Sequence, residues 1–396
     1  MQPGRNCRSV GSAAETSVTE RATDTALRLG FVGDVSLGRS VRRHMAGSGV
    51  KTPLDAAAPV LADLDLRVAN LEGAALPYTE GRFGPASPLT ATTEDLHLLA
   101  DAGIDVVTLA NNHSMDEGAP GLDACTRALA RYGIGHVGAG TNRYEAERPL
   151  LVTRNGRRIS LIAACDHARH WAGARRPGIA PLGWRRVTRR VREARRRSDL
   201  VIVLLHADHE FVDCPTPRRI ARSRALVRHG ADLVIQHHPH VWQGVEHHPQ
   251  GLIAYSLGNF VFPVEGNPYQ ESRPGTAWTH VLEVEVHFRG THASSLSWHT
   301  HPFVIRENHL PTPASTAEAE EILADLRRRS ALLADRAAVQ AHHLNAARRE
   351  WRNTRNAFLH ALHGRRWKEC CTLVRDTLAM PAERDAMITS LTRGRL

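Results

Sequence analysis

Asn111-Asn112-His113 is followed within a few residues by Asp116 and Gly118. Amide oxygens, an imidazole and a carboxylate in so short a span can hold a cation or move a proton. Taken singly, the same residues would serve as well to cap the next helix, with Asn112 or Asp116 as the cap. Residues of the same kinds recur along the chain: Asp34, Glu72, Asp166-His167, His206, His238-Pro239-His240 and Asn259. With no thiolate cluster among them, this mixed oxygen and nitrogen set suits a hard or borderline divalent ion and not a structural zinc. An isolated His-x-His carries little weight in a chain with 24 histidines; beside the other positions it carries much more. Both imidazoles of His238 and His240 reach one site only if the backbone is irregular or the ion sits between them, and Pro239 favours irregularity.

The elements that position these groups are short apolar runs of strand length. Leu27 to Val32 leads to Asp34, Leu66 to Leu71 to Glu72, and Val106 to Ala110 to Asn111. Arg158 to Cys165 leads to Asp166, Leu200 to Leu205 to His206, Asp232 to Ile235 to the histidine turn, and Leu252 to Leu257 to Asn259. Helical periodicity falls between them, over Thr93 to Ala102, the stretch after Gly118, Trp184 to Arg197 and Pro217 to His229. Apolar strands alternating with helices are buried on both faces in parallel sheets. After Asn259 the period becomes two, with Leu282, Val284, Val286 and Phe288 alternating against Glu283, Glu285 and His287, as in a half-exposed antiparallel strand. An α/β sandwich of two packed sheets with helices outside follows. In open α/β sheets ligands gather beyond the carboxyl ends of strands, where all the candidate ligands fall.

The chain has 396 residues, 42% hydrophobic and 23% charged, with a formal net charge of +10. It can bury a large core and holds more than one structural unit. Arginine clusters at 185–197 supply much of the positive charge, but few aromatics are interleaved for base stacking, so a solvated helix face is preferred to nucleic-acid binding. A positive field also suits an acidic peptide or carboxylate substrate. The six cysteines form no CxxC pair, which points to a reducing compartment. Residues 1–26 lack an apolar core for a signal peptide and read as disordered, and no run reaches the length of a membrane span. A soluble, cytoplasmic protein with no membrane partner is expected. From about Ser315 the pattern is helical, with Leu323, Leu326, Leu332 and Leu333 and then Trp351, Phe358 and Leu362 as apolar faces. The expected division is 1–26, a metal-binding domain over 27–313, and a helical extension over 314–396. The extension packs on the main domain or forms a peptide-binding lobe, and metal binding does not need it.

Gly33-Asp34, Asn70-Leu71-Glu72, Ala110-Asn111-Asn112-His113, His237-His238-Pro239-His240-Val241 and Tyr255-Ser256-Leu257-Gly258-Asn259-Phe260 resemble the CapA-type poly-γ-glutamate capsule proteins. These belong with the calcineurin-like metallophosphatases. The resemblance implies a calcineurin-like four-layer sandwich of two mixed sheets flanked by helices. It also implies that Asp34, Glu72, Asn112, His206, His238 and His240 surround the metal, with His113 as the neighbouring acid/base. Two departures matter. Ser36 stands where calcineurin-like phosphatases usually have a histidine, so one divalent ion is expected in place of two. His206-Ala207-Asp208-His209-Glu210 replaces the usual His-Trp-Gly-x-Glu. Asp208 and His209 then read either as a capped helix-entry loop or as a second acid/base pair opposite His113. Asp34 or Asp116 would hold the His113 ring.

Soluble members of this kind resemble the lasso-peptide epimerases, which invert a C-terminal residue of a ribosomal precursor peptide. Inverting a Cα needs a base on one face, an acid on the other and charge stabilisation between, which the expected centre supplies. The alternatives are a metal-dependent hydrolase of phosphoesters or amides, and a non-catalytic factor in poly-γ-glutamate assembly.

Overall fold

The computed structural model describes residues 26–38, 41, 44–45, 51–79, 89–166, 170–263, 275–306, 309–364, 366–368, 370–371 and 374. The expected disordered segment 1–26 lies outside them except for Ala26, as does His167.

Strands are numbered in chain order. One sheet runs, edge to edge, β18 (Pro311–Pro313), β17 (His292–Ile305), β16 (Trp278–Arg289), β1 (Leu27–Val35), β2 (Leu66–Leu71), β5 (Val106–Thr108) and β6 (Gly135–Val137). The short β15 (Asn259–Val261) pairs with the end of β1. The other sheet runs β13 (Val245–His248), β14 (Gly251–Ala254), β12 (Leu233–His237), β11 (Leu200–His206), β9 (Arg157–Cys165) and β8 (Leu150–Arg154). Two small ladders pair β3 (Ala74–Leu76) with β4 (Thr90–Thr92), and β7 (Ala139–Gly140) with β10 (Gly178–Ile179). Both main sheets are mixed. β1, β2, β5 and β6 are parallel while β16 to β18 run antiparallel; β9, β11, β12 and β14 are parallel between antiparallel β8 and β13.

Apolar runs became strands buried on both faces. Along β11, Leu200, Ile202 and Leu204 join the core between the sheets, with Phe31, Val68 and Ile235. Val201, Val203 and Leu205 join a second core, against Val187, Val191, Ile220 and Leu226 of helices Trp184–Arg195 and Pro217–Arg228. Each such side chain contributes roughly 1.5–3 kcal/mol of burial. Helix Gly118–Arg131 packs beside β3 and β6. The alternation in β16 is as expected: Val284 and Val286 are buried and His287 is exposed. His237 Nε2 donates to Val32 O at 3.2 Å and so ties β12 of one sheet to β1 of the other.

Strand ends differ in informative ways from the sequence pattern. β5 stops at Thr108, because the Thr108 hydroxyl accepts from Ala110 N and Leu109 O accepts from Asn111 N. That early turn lifts Asn111 to His113 off the sheet edge. β12 continues through His237, so only His238 to His240 form the turn.

The C-terminal helices are not an appendage. Helix Thr316–Leu332 opens with a capping box between Ser315 and Glu318. Asp325, almost wholly buried, accepts from Trp242 Nε1 at 2.9 Å, and Arg329 donates to Trp242 O at 2.6 Å. Ser330 Oγ accepts from Val245 N at 2.9 Å. Leu333 and Val339 complete the second core. No helix among the described residues is long and apolar enough to cross a membrane.

Candidate metal centre

Asp34 and Glu72 are both wholly buried, at the carboxyl ends of β1 and β2. Gly33 lets β1 approach the turn before β15 closely, since a Cβ there would collide with Gly258 O. Asp34 N then donates to Gly258 O at 2.8 Å. Asn70 organises the carboxylates: its amide donates to Asp34 Oδ1 at 2.8 Å and lies 3.4 Å from Glu72 Oε2. Asn111 donates in turn to Asn70 Oδ1 and to Leu71 O. The other oxygens, Asp34 Oδ2 and Glu72 Oε1, are buried without a hydrogen-bond partner. Burial and neighbouring Asp34 push the Glu72 carboxyl well above its ordinary value. Two carboxylates so placed call for a cation.

Imidazoles from both sheets converge on that oxygen. Glu72 Oε1 lies 3.6 Å from His240 Nε2, 3.9 Å from His113 Nε2 and 4.0 Å from His206 Nε2. These distances are long for hydrogen bonds. They approach the roughly 3–4 Å between ligand atoms that share one ion at about 2.1 Å each. Asp34 Oδ2 is 3.4 Å from His240 Nδ1, and Asn259 Oδ1 is 2.9 Å from the same nitrogen. His206 Nε2 is 2.7 Å from Asn112 Oδ1, and its ring lies 4.6 Å from that of His238. Burial, with His238 next, lowers the His206 value well below the ordinary imidazole range. Burial lowers His240 too, but Glu72 and Asp34 outweigh it and raise it to about 10. The expected ligands Asp34, Glu72, Asn112, His206, His238 and His240 are therefore gathered in one place, and their chemistry fits a divalent cation.

His113 Nδ1 is 2.8 Å from Asp116 Oδ2, so Asp116 and not Asp34 holds the ring, while Nε2 points toward Glu72. Ser36, buried where a second-site histidine was sought, gives its N–H to Val261 O and sits 3.4 Å from Gly38 N through its hydroxyl.

Asp208 and His209 are placed otherwise than as an acid/base pair opposite His113. Asp208 accepts from Thr216 N at 2.9 Å, at the cap of helix Pro217–Arg228, and the His209 ring lies 5.9 Å from that of His343. Their neighbour Glu210 turns to the centre. Its carboxylate groups with His238 and His240, all within 4.8 Å of one another, just as Asp34, Glu72 and His240 group. The backbone on both sides of the group is strained. Asp208 (φ 93°), Phe211 (φ 57°), His238 (φ 100°) and His240 (φ 55°) all take left-handed conformations. Such strain persists where surrounding structure enforces it, typically at functional sites. Glu210 received no role from its sequence, although it closes the segment that begins at His206. Asp166, also a candidate, is engaged by Arg219 at 3.1 Å instead.

Two mixed sheets with carboxylates, amides and imidazoles gathered at their strand ends define an α/β sandwich with a candidate metal centre. Residues 28–264 match the model of the bacterial capsule synthesis protein family PGA_cap, and the chain belongs to that family. It is 31% identical over 245 residues to the capsule biosynthesis protein CapA of Bacillus anthracis, covering 60% of each chain. It is 30% identical over 256 residues to the PGA biosynthesis protein CapA of Bacillus subtilis, covering 63% of this chain and 67% of that one. The matches thus span only about three-fifths to two-thirds of these relatives. Among solved structures it is similar to a phosphatase from Mycoplasma pneumoniae (TM-score 0.45, 15% identity, 70% of this chain and 94% of that one). It is also similar to a 5'-nucleotidase precursor from Thermus thermophilus (TM-score 0.43, 15% identity, 78% of this chain and 60% of that one).

Proposed function

We propose that the chain is a metal-dependent enzyme that inverts the Cα of the C-terminal residue of a ribosomal precursor peptide of the lasso type. The observation that carries this reading is the His113–Asp116 pair, 2.8 Å apart, with the other ring nitrogen turned toward Glu72. A carboxylate at Nδ1 keeps the proton there and leaves Nε2 as a base. Asp34, Glu72, Asn112, His206, His238 and His240 would hold one divalent ion. When bound, that ion supplies positive charge against the negative charge that develops on a substrate carbonyl.

His113 Nε2 takes the Cα proton and its electron pair moves into the adjoining carbonyl. A proton returns to the opposite face by way of Glu210, and exchange with solvent resets both groups. Glu210 takes this part in place of Asp208 and His209, because Asp208 is committed to the Thr216 cap. The buried Ser36, which offers no imidazole for a second ion, supports this reading over phosphoester hydrolysis. The names of the relatives, given for capsule and PGA biosynthesis, favour a second reading: an accessory part in assembling a glutamate polymer, without catalysis.

The test is reaction in deuterated water with a ribosomal precursor peptide of the lasso type as substrate. Deuterium is expected at Cα of the inverted product. His113→Ala is expected to keep its metal and lose about a hundredfold or more in rate, the scale of a lost general base. Inversion without solvent exchange, or a fully active His113→Ala protein, defeats the reading. Metal-dependent release of peptide or phosphate puts a hydrolase in its place.

A further inference from the structure

Asn111 is wholly buried, and its side-chain oxygen accepts the backbone N–H of His113 at 3.1 Å and that of Ser114 at 2.9 Å. A backbone N–H can only donate, so this end of the amide is the oxygen and the other end is the nitrogen. That nitrogen donates to Leu71 O at 2.8 Å and to Asn70 Oδ1 at 3.1 Å. The orientation of Asn70, also wholly buried, is fixed in turn: its oxygen faces Asn111 and its nitrogen faces the centre.

Three polar atoms lie about that nitrogen. Asp34 Oδ1 is 2.8 Å away, His206 Nδ1 3.3 Å and Glu72 Oε2 3.4 Å. They come from the ends of β1, β11 and β2. Carboxylate oxygens and an imidazole nitrogen are the kinds of atom that bind divalent ions. Here an amide, with only a partial positive charge, stands among them. The remaining oxygens, Asp34 Oδ2 and Glu72 Oε1, are the two that lack a hydrogen-bond partner. Both face one ring, at 3.4 Å from His240 Nδ1 and 3.6 Å from His240 Nε2. The amide therefore divides each carboxylate, engaging one oxygen and leaving the other for an ion.

We infer that Asn70 is the positioning residue that limits the centre to one ion, because its amide occupies the place a second would take. Asn111 acts through it, by keeping the nitrogen turned inward. Ser36 withholds a ligand from a second ion, whereas Asn70 withholds the seat itself. The inference rests on the proposed function for the bound ion alone and not for the inversion.

The test is titration of metal-free, full-length protein with Mn²⁺, the free ion being counted by electron paramagnetic resonance. The wild type is expected to bind one equivalent. Asn70→Asp keeps the size of the side chain but replaces the donor with a third buried carboxylate, which calls for more positive charge. It is expected to bind one equivalent more than the wild type, and its melting temperature should rise further on saturation with Mn²⁺. If Asn70→Asp folds only with Mn²⁺, the ions retained after gel filtration are counted instead. Asn70→Leu, of similar size, has no donor. It is expected to hold a single ion about tenfold or more weakly, the usual effect of removing a group that orients metal ligands. A residue that only supported the fold would weaken binding in both variants and leave the count at one. Two equivalents in the wild type, an unchanged count in Asn70→Asp, or wild-type affinity in Asn70→Leu overturns the inference. Should Asn70→Leu fail to fold, the count in Asn70→Asp decides alone. If the counts behave as expected while the wild type inverts no peptide, only the proposed function falls. If the wild type inverts its peptide and Asn70→Asp still holds one ion, only this inference falls.

Discussion

His240 offers a cation one nitrogen, because its Nδ1 faces Asn259 Oδ1 at 2.9 Å. Among the described residues, the two groups that could hold an ion, Asp34 with Glu72 and Glu210 with His238, both depend on this one ring. A single nitrogen does not serve two cations, so elemental analysis of protein purified without chelator should find one divalent equivalent per chain. Two tightly held equivalents would show that the centre is built differently. The ligand positions were legible because each follows an apolar strand, and family likeness sorted them. What local pattern could not give was the side chain that turns inward after His206. Asp208 and His209 read either as a capped helix entry or as a second acid/base pair; Asp208 takes the cap, while Glu210, between the left-handed Asp208 and Phe211, groups with His238 and His240. Nor does a sequence say that Asn70 and Asn111 bond to one another and hold a carboxylate from a third strand.

Helix Thr316–Leu332 was readable as a helix from its leucines, but its seat was not. Nothing near Trp242 announces that its indole N–H meets Asp325, a carboxylate 83 residues away. That carboxylate also holds the largely buried Arg329 at 2.6 Å. Asp325→Ala should therefore destabilise the protein by about 3 kcal/mol, as read from chemical denaturation, because it takes the nearer carboxylate from a largely buried cation and leaves only Asp213 at 3.8 Å. The helix start makes a separate prediction. Hydrogen bonds from Arg306, then from Ser315, lower the Glu318 carboxyl from 4.5 to about 2. A lowered value means that its stabilisation is complete above about 4.5 and disappears as pH falls through about 2. Melting temperatures of wild type and Glu318→Gln should then differ at neutral pH and converge toward pH 2. A constant difference across that range would mean the carboxylate's charge is irrelevant.

At the scale of the whole molecule, the sandwich was foreseeable from the switch between buried strands and alternating ones, and packing of the C-terminal helices on the body was one of the two readings of their apolar faces, but the contacts that make it were not legible. Those helices cover Trp242 and the backbone at Gly244, directly after the histidine turn. A chain ending at Pro313 should accordingly melt lower than the full chain and precipitate more readily, while any folded fraction keeps its ion. Loss of the ion from a soluble truncated protein would show that the helices shape the centre itself. The place of β1 has a consequence for synthesis. It lies in the middle of its sheet, between β2 and β16, and its Asp34 is in register with Asn259. Made before both of its neighbours, β1 has no antiparallel partner until residues 278–289 have been made. Until then one edge of it is an open template for wrong pairing, and a chaperone or the growing second sheet must shield it. Asp34 on that strand therefore waits for more than two hundred further residues before its register partner Asn259 is made.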